Sequence, residues 1–233
     1  WTRSNGQALL QQWPRLGIYT RGSNIAHRTQ GMNMNHIKLK TTLTMALSLM
    51  AATSAQAETK TAVFGGGCFW CTEADFDKVP GVLKTISGYA GGQYKDPDYK
   101  VVSAGRTDHT EVVEVTYDDT KVSYSQLVEY FWKTIDPTVK NRQFCDSGTQ
   151  YRSGFYYLNE EQKKVAEASK AKLQATGKFK TIYTEVAPVV KFYPAEEYHQ
   201  DYYIKNPVRY GYYRNGCGRD KRLEELWGPK ASR

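Results

Sequence analysis

The stretch Gly65-Gly66-Gly67-Cys68-Phe69-Trp70-Cys71 separates an apolar run from a segment with helical character. Residues 61–64 (TAVF) are typical of a buried strand, and residues 72–79 (TEADFDKV) are typical of a helix with acidic residues in its first turn. Three glycines between them allow the backbone to turn sharply. The pattern therefore predicts a strand–turn–helix unit with Cys68 at the start of the helix.

Cys68 is the candidate nucleophile of the chain. The unpaired N–H groups and the dipole at a helix N-terminus favour an anion, so this position predicts a stabilised thiolate. Phe69 and Trp70 can form an apolar wall beside it. The alternative is a buried structural cysteine, since free cysteines are often buried. The glycine turn and the nearby Cys71 favour the reactive interpretation.

Residues 34–57 carry the three parts of a secretory signal peptide in the expected order. A basic stretch at 35–40 precedes an apolar run at 41–54, and Ala55-Gln56-Ala57 fits the small-x-small cleavage pattern. The apolar run is short for a membrane span, so an uncleaved anchor is the less favoured alternative. The pattern predicts cleavage near Ala57 and an exported protein, periplasmic or secreted, without a stable membrane anchor.

The charge of the chain is concentrated in its first 57 residues. These residues hold six of the 32 basic residues and none of the 24 acidic ones, which leaves 26 basic residues against 24 acidic ones in 58–233. The formal charge of +8 therefore gives no support for a nucleic-acid partner. Residues 1–33 lack periodicity and are predicted to be a non-native, disordered extension. Residues 58–233 are predicted to form a single catalytic domain.

The order of strand and helix patterns in 58–233 indicates an α+β fold. After the first strand–turn–helix unit, the pattern predicts strands at 82–89, 111–117, 154–158 and 184–188 and helices at 124–132, 160–175, 195–203 and 221–227. Ser123 and Asn159 are candidate N-caps. The order is βαββαβ with additional helices, which favours a sheet covered by helices. Glycines around Cys217 predict a long irregular C-terminal tail.

Four cysteines occur in the chain, and their spacing leaves three interpretations open. Cys68, Cys71, Cys145 and Cys217 all lie in the part that is predicted to be exported, where structural disulfides are common. Zinc binding is disfavoured because no second closely spaced pair accompanies Cys68-x-x-Cys71. Reactive thiols are the third interpretation. A thiol nucleophile whose target carries an oxygen also needs a proton donor or hydrogen-bonding groups, for which Glu111, Tyr99, Asp146 and Tyr151 are candidates.

Several spaced motifs resemble those of one enzyme family. They are Gly67-Cys68-Phe69-Trp70-Cys71, Gly88-Tyr89-Ala90-Gly91-Gly92, Pro97-x-Tyr99, His109-Thr110-Glu111, Gly148-Thr149-Gln150-Tyr151-Arg152-Ser153 and Phe192-Tyr193-x-Ala195-Glu196-x-x-His199-Gln200. With these motifs in this order, residues 60–228 resemble the peptide methionine sulfoxide reductases of the A type. The resemblance implies an α/β roll built around a ferredoxin-like βαββαβ core.

The resemblance also implies roles for particular residues. Cys68 matches the nucleophile, and Phe69 and Trp70 match the residues that hold the S-methyl group of the substrate. Glu111 matches the proton donor to the sulfoxide oxygen. Tyr99 and Tyr151 match its hydrogen-bonding partners, and Asp146 matches a polar residue of the same pocket.

The implied reaction is the reduction of methionine S-sulfoxide, free or in proteins, to methionine. Cys68 becomes a sulfenic acid, a second thiol condenses with it to a disulfide, and a thioredoxin-like dithiol reductant resets the enzyme. No metal or organic cofactor is needed, and a monomer is expected. The alternatives are an exported thiol–disulfide oxidoreductase that uses Cys68-x-x-Cys71 and an exported binding module with two disulfides.

The identity of the second thiol is the least determined step. Two residues three apart in a helix have Cβ atoms about 5–6 Å from each other, whereas a disulfide prefers about 3.8 Å. Cys217 lies in a glycine-containing segment, and the resemblance favours a cysteine in the tail. The sequence therefore predicts that Cys217 attacks the Cys68 sulfenic acid first, with Cys71 as the alternative and Cys145 structural or incidental.

Overall fold

The chain alternates strands and helices over residues 58–229, the part that the structure, a computed structural model, describes. The strands are β1 (Thr59–Gly66), β2 (Val82–Ala90), β3 (Thr110–Asp118), β4 (Arg142–Gln143), β5 (Asp146–Ser147), β6 (Ser153–Tyr157), β7 (Glu185–Pro188) and β8 (Tyr193–Pro194). The α-helices are α1 (Phe69–Phe76), α2 (Tyr99–Ser103), α3 (Tyr124–Trp132), α4 (Glu160–Ala175), α5 (Tyr202–Lys205), α6 (Pro207–Gly216) and α7 (Arg219–Trp227). None of these described helices combines the length and the apolar character that a bilayer span requires. The predicted signal peptide at 34–57 and the extension at 1–33 lie outside the described residues.

The main sheet has the strand order β7-β6-β1-β3-β2-β8. Neighbouring strands from β6 to β8 are antiparallel, and the edge strand β7 is parallel to β6. Helix α1 connects β1 to β2, and α3 lies between β3 and β6, so the core has the order βαββαβ. This arrangement confirms the predicted α+β class and the ferredoxin-like core.

The two faces of the sheet bury different sets of side chains. Ala62 and Phe64 of β1 belong to the main cluster, which includes apolar residues of α1 and α3. Val63, between them, belongs to a second cluster with Ala90 and Tyr156. This alternation follows from the two-residue period of a strand. The helices therefore cover one face of the sheet, and the N-terminus of α1 lies at that face.

The turn between β1 and α1 requires glycine at two positions. Gly67 has a φ of 83°, and a Cβ there would lie 2.5 Å from Cβ of Gln143. A Cβ on Gly66 would lie 2.6 Å from Oγ1 of Thr72. Any side chain at these positions would clash, so the turn can bring Cys68 close to the neighbouring loop only with glycine before it. The predicted strand–turn–helix unit is confirmed, with α1 beginning at Phe69.

The predicted helix starts at Ser123 and Asn159 are confirmed. Ser123 accepts a hydrogen bond from the backbone N–H of Gln126, whose side chain binds back to the Ser123 N–H in a capping box. Asn159 accepts from the N–H of Gln162, and two glutamates occupy the first turn of α4.

The predicted helix at 195–203 is interrupted. Glu197–His199 forms a single 3₁₀ turn, and α5 begins only at Tyr202. Asp201 has a φ of 52°, which breaks the helical path, and its N–H donates to the buried carboxylate of Glu73 over 3.1 Å. A long-range hydrogen bond therefore replaces the local helix.

The C-terminal tail is helical and not irregular as predicted. Pro207 occupies the first turn of α6, where its missing N–H has no cost. Arg214 of α6 forms a buried ion pair with Asp75 of α1 over 2.9 Å. Gly218, with a φ of 65°, separates α6 from α7. These contacts with the rest of the domain outweigh the low helix propensity of Gly211 and Gly216.

Candidate active site

Seven of the predicted site residues surround one small cavity of about 60 Å³. The lining residues are Cys68, Phe69, Trp70, Tyr99, Glu111, Asp146, Tyr151 and, in addition, Tyr213. A single water needs roughly 10–15 Å³ of such space, so the cavity can hold a few atoms of a ligand. It therefore suits a small reacting group.

Cys68 precedes the first residue of α1 and is 6% exposed. Burial, the hydrogen bond to Cys71 and the charge of Glu111 hold the pKa of the Cys68 thiol well above its usual value. The predicted stabilisation of a Cys68 thiolate by the helix N-terminus is therefore wrong for the resting protein. Desolvation is the larger effect here because α1 is short and its start is buried.

Glu111 lies on the central strand β3 and is 2% exposed. It shares a face with Val113, two residues on, which belongs to the main core cluster beside the helices. Its carboxylate accepts a hydrogen bond of 3.0 Å from the backbone N–H of Phe69. Burial raises the pKa of Glu111 to about 8, although the Phe69 N–H opposes the shift. Most Glu111 carboxyl groups are thus protonated at pH 7.

Phe69 and Trp70 form the apolar side of the cavity, and neighbouring side chains fix the indole. Nε1 of Trp70 donates to Nδ1 of His199 over 2.9 Å. The Trp70 ring stacks on Tyr202, with 3.8 Å between centroids and an angle of 6° between planes. Phe69 is fully buried, with its ring 5.0 Å from that of His199. The wall is rigid and suits a small apolar group such as a methyl.

Tyr99 and Tyr151 bring two phenol groups to the cavity from separate segments. Tyr99 begins α2, and its backbone N–H donates to Glu196 over 2.9 Å. Tyr151 ends a 3₁₀ turn that follows β5. Burial raises the pKa of Tyr99 to about 12 and moves the pKa of Tyr151 still further upward. Both hydroxyls therefore remain protonated and can donate hydrogen bonds to a ligand oxygen.

Asp146 and Tyr213 form a hydrogen-bonded pair at the cavity. The Tyr213 hydroxyl donates to Oδ2 of Asp146, and Tyr213 lines the cavity together with Cys68. Burial raises the pKa of Asp146, and the hydrogen bond from Tyr213 partly offsets this. Asp146 therefore orients a hydroxyl that belongs to the cavity of the nucleophile.

Cys71 lies beside Cys68 and is 2% exposed, and both thiols are free. The hydrogen bond from Cys68, followed by the charges of Arg219 and Arg214, lowers the pKa of the Cys71 thiol to about 7. Cys68 is at the N-cap, with a φ of −50° and a ψ of 120°, and not inside the first helical turn. The spacing argument against a Cys68–Cys71 bond therefore does not apply, because it assumed helical backbone at both residues.

Cys217 forms a disulfide with Cys145, with 4.9 Å between their Cα atoms. The prediction that Cys217 attacks the Cys68 sulfenic acid first stays a prediction, because this structure shows Cys217 bonded to Cys145 and Cys68 as a free thiol. Cys145 has a bonded partner and is not incidental. The reason is the helical form of the tail, which ends α6 at Cys217 beside the segment that contains β4 and β5.

Three functional groups escaped the sequence analysis. Tyr213 was one of 18 tyrosines in a tail that was expected to be irregular. His199 belongs to one of the quoted motifs but was given no role, although it orients Trp70. Arg219 binds the Gly66 and Thr134 carbonyls, at 3.2 and 2.8 Å, and its charge acts on Cys71. A sequence-based prediction of the helix at 207–216 would have placed Tyr213 on an ordered element and made it a candidate site residue.

The cavity combines the groups that a reaction at an oxidised sulfur requires. A buried thiol faces a protonated carboxyl, two phenol donors and an apolar wall within one small space. A second, more acidic thiol is hydrogen-bonded to the first. This set can protonate an oxygen, attack the atom that carries it and then close a disulfide.

Comparisons with known proteins give a consistent result. Residues 60–231 match the family described as peptide methionine sulfoxide reductase. The chain is 51% identical over 175 residues to peptide methionine sulfoxide reductase MsrA 2 of Rhizobium meliloti (strain 1021), which covers 75% of this chain and 87% of the relative.

Solved structures agree with these sequence relatives. The fold is similar to methionine sulfoxide reductase A of Corynebacterium diphtheriae, with a TM-score of 0.59, 40% identity and coverage of 66% of this chain and 78% of that one. It is also similar to the reduced form of Mxr1 from Saccharomyces cerevisiae, with a TM-score of 0.61, 36% identity and coverage of 65% and 87%.

Proposed function

The chain belongs to the peptide methionine sulfoxide reductase family, and we propose that Cys68 performs the reduction by attacking the sulfur of a bound methionine sulfoxide. The observation that carries this proposal is the cavity in which Cys68 and Glu111 meet the wall of Phe69 and Trp70. The substrate is methionine S-sulfoxide, free or in proteins. The cavity has room for the methyl, sulfur and oxygen of that group, and the remainder of the substrate stays outside.

The site orients the sulfoxide by its two unlike substituents. The methyl group lies against Phe69 and Trp70, and the oxygen points to Glu111 and the two tyrosine hydroxyls. The methyl group and the oxygen are thus fixed relative to Cys68. The lone pair of the sulfoxide sulfur can then point in one direction only. A site of this kind accepts one sulfoxide epimer, as is general for such reductases.

Glu111 supplies the proton that makes the sulfur electrophilic. A pKa of about 8 keeps the carboxyl protonated at neutral pH while it remains acidic enough to give the proton away. Attack joins the Cys68 sulfur to the sulfoxide sulfur, and the protonated oxygen then moves to Cys68 as this S–S bond breaks, which leaves Cys68 as a sulfenic acid. The proton that Cys68 loses replaces the one that Glu111 gave. Methionine leaves with its sulfur reduced, so two electrons have passed from Cys68 to the substrate.

Cys71 resolves the sulfenic acid. In the reduced protein, the hydrogen bond from Cys68 and the charges of Arg219 and Arg214 lower the pKa of the Cys71 thiol to about 7. The two arginines still favour the Cys71 thiolate after Cys68 has become a sulfenic acid. The Cys71 thiolate attacks the Cys68 sulfur, the S–O bond breaks, and the hydroxide leaves as water after gaining a proton. A thioredoxin-like dithiol then reduces the Cys68–Cys71 disulfide by exchange.

Exchange of Cys71 for serine is expected to stop the reaction at the sulfenic acid. Without reductant, the Cys71→Ser variant should release one methionine per chain and leave a Cys68 adduct that dimedone traps. The matched control is the double variant Cys145→Ser/Cys217→Ser, which should still form the Cys68–Cys71 disulfide. Peptide mass spectrometry gives both answers. A Cys68–Cys217 bond in the Cys71→Ser variant at the wild-type rate would assign the resolving role to the tail.

Steady-state turnover of methionine sulfoxide with dithiothreitol tests the proposed function. We expect methionine to accumulate, with Cys68 required and added metal without effect. The competing activity, general thiol–disulfide exchange, predicts insulin reduction without sulfoxide turnover. The site disfavours it because the acid and the two phenol donors beside Cys68 serve a substrate that carries an oxygen, which a disulfide lacks. Insulin reduction alone would reject the sulfoxide reductase function for this chain.

We also propose that the protein is exported to the periplasm and acts as a monomer. The signal-peptide pattern at 34–57 supports export, and an oxidising compartment is consistent with the Cys145–Cys217 disulfide. A monomer is sufficient for the proposed chemistry, because one copy of the chain supplies the thiol, the acid and the apolar wall.

Expression of the full chain in a Gram-negative host is expected to yield a periplasmic protein that begins at Glu58. The reason is the small-x-small motif at 55–57 after an apolar run. Intact-mass analysis of periplasmic and cytosolic fractions provides the measurement, and Ala57→Arg, which spoils the motif, provides the control. Soluble cytosolic protein that retains residues 34–57 would contradict export.

A further inference from the structure

The Cys145–Cys217 disulfide joins two segments that each contribute a side chain at the nucleophile. The bond links residues 72 positions apart. Asp146 follows Cys145 directly, and Tyr213 lies one helical turn before Cys217, whose N–H donates to the Tyr213 carbonyl over 2.9 Å. The proposed reaction uses neither of these two cysteines. Their position next to the Asp146–Tyr213 pair therefore needs another explanation.

Tyr213 lines the same small cavity as the reacting thiol of Cys68. Its hydroxyl donates a hydrogen bond to Asp146. Its ring meets Trp70 edge to face, with 5.7 Å between centroids and an angle of 79°. The side chain is thus a part of the cavity wall that comes from a helix of the tail.

A tyrosine hydroxyl has one proton to donate, and here two acceptors compete for it. While Asp146 is ionised, the proton points to its carboxylate. As Cys68 becomes a thiolate, a second anion appears in the small cavity that the same tyrosine lines. The hydrogen bond then stabilises the thiolate, and burial makes it stronger than it would be in water.

We propose that the Tyr213 hydroxyl donates a hydrogen bond to the Cys68 thiolate that attacks the sulfoxide, and that the Cys145–Cys217 disulfide positions Tyr213 for this. The proposal rests on the proposed function of Cys68. In it, Tyr213 keeps its proton and is a catalytic residue because its hydrogen bond reaches the reacting sulfur, and the disulfide is a positioning element that acts through Tyr213.

The disulfide is suited to local positioning because other contacts hold α6 on the domain. Arg214 pairs with Asp75 over 2.9 Å and with Asp220 over 2.6 Å. These ion pairs do not involve the disulfide, so we expect the helix to stay attached without it. A hydroxyl in an active site must be held to within about 0.5 Å, and β4 and β5 are only two residues long each. A covalent bond between the two segments limits their relative movement.

The ionisation of Cys68 is the direct measurement. Several titratable groups surround this thiol, namely Cys71, Tyr99, Glu111, Asp146, Tyr151 and Tyr213. Iodoacetamide alkylates only the thiolate, so the rate of Cys68 modification against pH, read from tandem mass spectra of the peptide, does not depend on acid catalysis by Glu111. Tyr213→Phe should raise the midpoint of this profile by about one pH unit, as expected for loss of one hydrogen bond to a charged group.

Two further variants separate positioning from general damage. Tyr212→Phe changes the neighbouring, 79%-exposed tyrosine of the same helix and should leave the midpoint unchanged. Cys145→Ser/Cys217→Ser should raise the midpoint in the same direction as Tyr213→Phe. In the combined variant, loss of the disulfide should add nothing to the effect of Tyr213→Phe, since interacting groups are not additive.

An unchanged midpoint in Tyr213→Phe would overturn the catalytic assignment, and fully additive shifts would overturn positioning by the disulfide. If Tyr213→Phe does not fold, the disulfide variant decides alone, because an unchanged midpoint there contradicts the proposal. Failure of the proposed function would look different. The wild-type protein would then release no methionine, although its Cys68 alkylation profile could still be measured.

Discussion

The Cys68→Ser variant is expected to release no methionine from methionine sulfoxide, either with dithiothreitol or in a single turnover without reductant. Serine keeps the size of the side chain but replaces a thiol by a hydroxyl that is almost entirely un-ionised at neutral pH and does not pass through the sulfenic acid state. Every later step needs that state. The loss should therefore be complete and should not be rescued by higher substrate concentration or higher pH.

The measurement is methionine per chain after mixing with excess sulfoxide and no reductant. Cys71→Ser is the matched control, since it makes the same substitution three residues away in the same motif and should still give one methionine. Thermal unfolding should show that the Cys68→Ser protein is folded. Methionine release by a folded Cys68→Ser protein would remove Cys68 from the mechanism and point to Cys71 as the nucleophile.

The Glu111→Gln variant is expected to form the sulfenic acid roughly 10²- to 10⁴-fold more slowly, the usual contribution of general acid catalysis. Glutamine keeps the shape and can still accept the hydrogen bond from the Phe69 N–H, but it has no acidic proton. The pH dependence follows from the same group. With a pKa of about 8, Glu111 loses its proton as the pH rises through that value, so the wild-type rate should fall there. The glutamine variant should be slow and should lack that decline.

Rapid quench of single turnovers from pH 6 to pH 10 provides these rates. Glu114→Gln is the control on the same strand, three residues away, where the side chain is half-buried and points to the other face of the sheet. The Glu114→Gln variant should keep the wild-type rate of sulfenic acid formation and the wild-type fall of that rate at high pH. If Glu111→Gln has the wild-type rate, the proton comes from another group, and Tyr99 and Tyr151 become the candidates.

Much of the core could be predicted because local and tertiary preferences agree there. The glycines before Cys68 and the caps at Ser123 and Asn159 specify turns and helix starts with chemistry that is local to the sequence. The site residues are less local, because they come from β1–α1, α2, β3, β5 and α6. A strand pattern at 111–117 predicts a strand but does not say that Glu111 faces Cys68.

The tail and the cysteine pairing could not be predicted for the same physical reason. Helix α6 contains two glycines and depends on the Arg214–Asp75 ion pair, which joins residues far apart in the chain. Once α6 is a helix, Cys217 lies beside Cys145. Without that knowledge, four cysteines allow several pairings, and sequence does not distinguish them. The sequence predicted a lowered pKa for the Cys68 thiol, whereas the structure raises it. The reason is that burial depends on the packing of the whole domain and not on the helix start alone.

A disulfide map of the wild-type protein after one equivalent of methionine sulfoxide tests the central claim most directly. The protein is prepared with Cys68 and Cys71 reduced, mixed with substrate in the absence of reductant, blocked with an alkylating agent and digested without reduction. The proposed mechanism predicts one methionine per chain, a new Cys68–Cys71 disulfide and an unchanged Cys145–Cys217 disulfide. A Cys68–Cys217 or Cys68–Cys145 disulfide as the first product, or methionine release with Cys68 still a free thiol, would contradict it.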